Sequence, residues 1–154
     1  MRNVFARVSL FAVLTAVGMA GADNTIGTWK LNMEKSKVMV GPSAIKSLTT
    51  TREAVEGGVK LTATGTRADG ALNSSYTAKY DGKSYPVTGA PWDTISIKQL
   101  DANTLTVINK KTGGKYKTTG RTVVSKDGKT MTNTAKGTDN EGKAMHQILV
   151  FEKQ

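Results

Sequence analysis

The chain has 154 residues, no cysteine, one histidine, and 22 Lys and Arg against 12 Asp and Glu, for a formal net charge of +10. That length suits one domain with a sizeable core. The lack of cysteine excludes disulfides, thiol nucleophiles and a lipid-anchored N-terminal cysteine, so packing must supply the stability.

Residues 1–22 read as a secretory signal peptide. Arg2 and Arg7 give a positive start, Val8 to Ala20 is free of charge, and Ala20-Gly21-Ala22 is a small-x-small cleavage site. The apolar run is shorter than the roughly 20 residues of a membrane-spanning helix; an uncleaved anchor is the other reading. Removal would leave a domain of residues 23–154 in the periplasm or outside the cell, with no membrane span.

From residue 46 onward, short β-prone runs alternate with turn signals. Gly57-Gly58, Asp69-Gly70, Asp81-Gly82, Gly113-Gly114 and Asp127-Gly128 are two-residue turn dipeptides. The spacing predicts strands at 27–32, 47–55, 59–66, 72–80, 84–88, 93–100, 104–111, 115–124, 129–136 and 144–152. No stretch after the leader repeats apolar residues with helical period over three turns. Ten consecutive antiparallel strands have two edges to protect, and closure removes both. The expected fold is all-β, a single antiparallel up-and-down barrel; a two-sheet sandwich is the alternative.

Strand alternation sorts the faces. Lysine-bearing faces must be outside. Tyr76, Tyr80, Ile97, Val107, Tyr116, Met131, Leu149 and Phe151 then point inward, together with four primary amides, Gln99, Asn109, Asn133 and Gln147. An unpaired buried amide costs about 1–3 kcal/mol. Either the amides face a water-containing cavity, or they lie at strand ends and meet solvent. The first reading makes the eight apolar and aromatic side chains the wall of a site for a small apolar or amphipathic ligand, which the four amides would orient.

The basic residues are scattered and flank turns, as at Lys110, Lys111, Lys115 and Lys117 and at Lys126 and Lys129. Aromatic residues do not interleave with them as stacking platforms for bases would. A solvated surface is the plainer reading, with no specific nucleic-acid partner. The competing functional reading is a basic outer surface that binds an anionic polymer or a partner protein.

Gly27-Thr28-Trp29-Lys30-Leu31-Asn32 resembles the opening strand of the calycin families, the lipocalins and fatty-acid-binding proteins. Val150-Phe151-Glu152-Lys153 is similar to the last strand of the fatty-acid-binding proteins, and Asp127 to Thr132 to one of their late hairpins. The resemblance implies a ligand-binding barrel with Trp29 plugging one end. Two features depart from it. Residues 33–46 contain Gly41-Pro42 and are too short and broken for the helical lid of the fatty-acid-binding proteins. The Arg-x-Tyr that holds a ligand carboxylate on their last strand is replaced by Leu149 and Phe151, which favours a more neutral ligand.

Catalysis by acid–base or nucleophilic groups needs a cluster, and the sequence offers none. His146 shares parity with Ile148 and Val150 and is expected on the surface. It is too few for a zinc site, and no nucleophile elbow accompanies it. Asp69, Asp81, Asp101 and Asp127 have turn roles. The chain is therefore read as a monomeric, non-catalytic protein without metal or cofactor.

Overall fold

The computed structural model describes residues 21–41 and 44–154; the leader sequence lies almost wholly outside them. Ten strands follow one another: β1 (Gly27–Lys37), β2 (Ile45–Val55), β3 (Gly58–Arg67), β4 (Gly70–Lys79), β5 (Asp81–Thr88), β6 (Thr94–Asp101), β7 (Thr104–Lys110), β8 (Lys117–Val124), β9 (Thr130–Thr138) and β10 (Ala144–Lys153). Each pairs antiparallel with its sequence neighbours, and β1 pairs with β10, closing the barrel. The sandwich alternative is thereby excluded. Threonine and branched aliphatic residues suit such strands, because they pack on a pleated, half-buried surface.

Hairpin geometry follows the turn glycines. Gly57 and Gly128 have φ of +69° and +72°, a region open to glycine without steric cost. Asp81-Gly82 is the centre of the β4–β5 reversal, because Ser75 pairs with Thr88 and Tyr76 with Val87, and Gly82 has φ of +76°. Asp81 also opens β5, and one extra residue is absorbed beside Gly82, where Asp81 faces Lys98 but Ser84 faces Ser96. This is a bulge, which spends one unpaired residue to bend the strand.

The first strand also runs beyond the expected 27–32. Asn32 pairs with Val150 and Lys37 with Ile148, so five steps along β1 match two along β10. Ser36 bridges the irregularity. Its hydroxyl donates to the Asn32 carbonyl at 2.6 Å and accepts from the Val150 N–H at 2.9 Å. Met33–Lys35 is exposed and lies in the gap of the β1–β10 ladder, which resumes at Lys37; the Ser36 hydroxyl ties this gap to β10, a tertiary cause that no local pattern reveals.

Side chains alternate as expected along β4 and β6 to β10. Two apolar clusters result. One joins β1–β4 to β8–β10 around Trp29, Phe151 and Met131. The other, around Val59, Ile97 and Leu105, spans β3–β7. Between β4 and β5 the ladder is short, with only Ser75↔Thr88 and Tyr76↔Val87 paired.

Candidate functional site

The clusters do not fill the barrel. A cavity of about 540 Å³ remains, walled in part by cluster members such as Leu48, Leu61, Leu72, Leu149 and Phe151, within the range of roughly 300–1,000 Å³ usual for ligand pockets. Its mouth is at the end carrying the β1–β2, β5–β6, β7–β8 and β9–β10 connections, and Met39, Trp92, Tyr116 and Asp139 are on its rim. Trp92 and Tyr116 stack there with ring centroids 5.3 Å apart. Asp93 locks the two loops that carry them. Its carboxylate accepts from the Thr112 N–H at 2.8 Å and hydroxyl at 3.1 Å, with Lys111 Nζ at 3.6 Å. Those bonds hold the Asp93 carboxyl below its ordinary pKa.

The opposite end is closed by a strap, residues 22–26, that runs under the barrel before β1 begins. Thr25 and Trp29 are fully buried, and the Trp29 indole N–H donates to the Thr25 carbonyl at 2.9 Å. Asp23 accepts from the Thr25 N–H at 2.9 Å, from its hydroxyl at 2.7 Å and from the Tyr80 hydroxyl. The Asn24 N–H donates to the Ala102 carbonyl at 2.8 Å. Burial, together with the bond to Asp23, pushes the Tyr80 phenol far above its ordinary pKa.

Eight of the twelve residues expected to bind ligand line the cavity: Tyr76, Val107, Asn109, Tyr116, Asn133, Gln147, Leu149 and Phe151. The other four do not line it and are corrections to the sequence reading. Tyr80 is committed to Asp23. Ile97 is fully buried in the second cluster. Gln99 donates to the Ala22 carbonyl at 3.1 Å and so ties down the strap. Met131, also fully buried, packs beneath the cavity. Tyr80 and Gln99 lie too near the closed end, since alternation gives the face of a residue but not its depth along the barrel; Ile97 and Met131 pair directly with the cavity-lining Val107 and Phe151 but are covered by their apolar clusters. Trp29 is fully buried at the closed end, above the strap.

The wall holds residues that the sequence reading passed over. Arg52 and Thr50 are 3% and 5% exposed, and both line the cavity, as does Trp92. Alternation along 47–55 would have put Thr50 and Arg52 on the face of Leu48. Trp92 lies between strands, where no periodicity marks it.

Five buried side-chain atoms among the described residues have no hydrogen-bond partner: Thr50 Oγ1, Arg52 Nε, Trp92 Nε1, Asn109 Oδ1 and Asn133 Oδ1. All five residues line this cavity. Buried polar groups are otherwise nearly always paired, so the concentration marks a surface suited to a polar-bearing guest. Asn109 uses its amide N–H₂ on the Thr118 hydroxyl at 3.3 Å, which leaves its oxygen as an acceptor. Burial pushes the Tyr76 phenol above its ordinary pKa, and the nearby Arg52 charge opposes that rise.

His146 is exposed on the outer face. Among the described residues no three His, Asp or Glu side chains are grouped to hold a metal.

No protein-family model matches the chain, and no curated protein matches it in sequence. Among solved structures, EF1p2_mFAP2b bound to DFHBI is similar over 85% of this chain and 94% of its own, at 12% identity and a TM-score of 0.46.

Proposed function

We propose that this is an exported, non-catalytic binding protein that carries one small amphipathic molecule inside its barrel. The observation that carries the reading is the coincidence of the cavity with all five unpartnered buried polar atoms. An apolar cavity of this kind would stay dry and need no such groups. A cavity walled by Leu48, Leu61, Leu72, Leu149 and Phe151 and dotted with single polar atoms suits a guest with an apolar body and a few polar substituents. The Gly-x-Trp opening and the closing strand support kinship in design with the lipocalins and fatty-acid-binding proteins. The charged start and apolar run of residues 1–22 support export to the periplasm or beyond.

Native mass spectrometry of the protein purified from its own host, followed by denaturing extraction, tests the reading. A stoichiometric amphipathic molecule is the expected result. A bare polypeptide that also fails to take up fluorescent lipid analogues would overturn it.

A further inference from the structure

Arg52 is the feature of this barrel least explained by packing. It is 3% exposed, and its inward row is set by register. It faces Gly27 on β1 and Leu61 on β3, and Leu61 faces Tyr76 on β4. The guanidinium reaches toward β9, where Nη1 lies 3.9 Å from Met131 Sδ, a weak acceptor. The Nε–H has no partner at all.

No carboxylate neutralises it. None of the four ion pairs among the described residues includes Arg52, and the residues outside that set contain no Asp or Glu. Asp23 is the acid whose charge is felt at both Tyr76 and Tyr80, but its oxygens serve Thr25 and Tyr80 beneath the floor. Asp139 and Glu141 stand at the mouth, the far end. Arginine cannot shed its proton to escape burial, as a lysine could. A buried, fixed, unpaired cation is costly, and here it faces an open cavity instead of a protein partner. Thr50 lies two residues away on the same face, also buried, and its hydroxyl is equally unpartnered.

The geometry points to an oxyanion receptor on the cavity floor: the guest enters acid group first, and its carboxylate-type head takes the Arg52 Nε–H edge and the Thr50 hydroxyl. Charge-assisted hydrogen bonds of this kind are short and strong in a low-dielectric site. The apolar remainder of the guest then lies along Leu61, Leu72 and Leu149 toward the mouth. The inference rests on the ligand-binding reading above and names its ligand class. It also revises the expectation of a neutral ligand drawn from Leu149 and Phe151, because the cation is supplied from β2 instead of β10.

The test is displacement of the neutral dye Nile red from the purified barrel by laurate, lauryl sulfate and methyl laurate, which share one chain length. Wild-type protein should bind laurate at least tenfold more tightly than methyl laurate. Arg52→Met should abolish that preference and keep methyl laurate binding. Arg52→Lys retains a charge but loses the planar donor edge, and it should weaken laurate about tenfold; it carries the test if the methionine variant does not fold. Thr50→Val should also weaken laurate and leave the ester unchanged. Lauryl sulfate binding as well as laurate defines a general oxyanion floor, and weaker sulfate binding restricts it to carboxylates. Equal affinity for acid and ester in the wild type, or a preference that survives Arg52→Met, would overturn the proposal while Nile red uptake left the cavity reading standing. Failure of the wild type to take up Nile red or any of the three compounds would overturn both.

Discussion

The indole nitrogen of Trp29, at the start of β1, donates to the carbonyl oxygen of Thr25 four residues earlier at 2.9 Å, so the residue that plugs the barrel is held by the strap it rests on. The strap is fixed in turn by Asp23, whose two carboxylate oxygens serve Thr25 and Tyr80. Trp29→Phe keeps most of the bulk and orphans the Thr25 carbonyl. It should lower stability by about 1–3 kcal/mol, the cost of an unsatisfied buried group. Asp23→Asn weakens the charged acceptor and should cost a similar amount, about 1–3 kcal/mol. Urea unfolding followed by far-ultraviolet circular dichroism reads both. An unchanged midpoint for Asp23→Asn would show that the strap does not hold the floor.

Arg52 makes a prediction about stability that runs opposite to its proposed role. Removing an unpaired buried charge in favour of an apolar side chain of similar length should stabilise the barrel measured without added ligand, by about 1–4 kcal/mol on the scale of buried ion replacements. Arg52→Met should therefore shift the denaturant midpoint upward with an unchanged slope. A lower midpoint would mean that the guanidinium is structurally satisfied, which contradicts its unpaired Nε–H.

The barrel was legible because its cues are local. Turn dipeptides and period-two alternation need only neighbouring residues, so ten strands, their order and the inward faces of β4 and β6 to β10 follow from the chain itself. What alternation does not encode is height. Tyr80 and Tyr76 share a face, yet one ends in a bond to Asp23 and the other borders the cavity. The decisive cation was hidden for a related reason. An arginine in a strand pattern is read as a solvent-facing charge by default, although Arg52 shares the parity of Leu48 and Thr50, and its pairing with Leu61 confirms that it is turned inward. Ser36 is a third case, since its bridging role depends on Val150, which is 114 positions away.

The tyrosines give the protein an alkaline limit. Burial is the main cause of the raised pKa at Tyr76, Tyr80 and Tyr116. In the unfolded chain each phenol ionises near pH 10. A folded pKa above the unfolded value means that the unfolded state loses its proton first as pH rises. The stabilisation is thus fully present below about pH 10 and is lost as pH climbs from there through the folded values. Phenolate absorbance should appear late and rise together with loss of the β-sheet circular dichroism. Full ionisation of all four tyrosines near pH 10 with the fold intact would contradict the burial of Tyr76 and Tyr80.

Asn109 and Asn133 carry the two unpartnered amide oxygens of the cavity wall. Asn133 pairs with Leu149 across β9 and β10 and with Thr122 on β8, and both asparagine side-chain oxygens are buried without donors. An orphaned acceptor in the wall costs about 1–3 kcal/mol. Asn133→Leu should therefore raise the thermal midpoint without ligand, or leave it unchanged. The same substitution should weaken a guest that carries a mid-chain hydroxyl and spare one that does not. A hydroxylated fatty acid compared with its unsubstituted parent, on wild type and on Asn133→Leu, separates the two effects. The wild type should favour the hydroxylated acid by about five- to tenfold, the worth of one neutral hydrogen bond near 1 kcal/mol or a little more, and the variant should lose that margin. If the parent acid bound more tightly to both proteins, the asparagine oxygens would not be contact points for the guest, and the wall above Arg52 would act by shape alone.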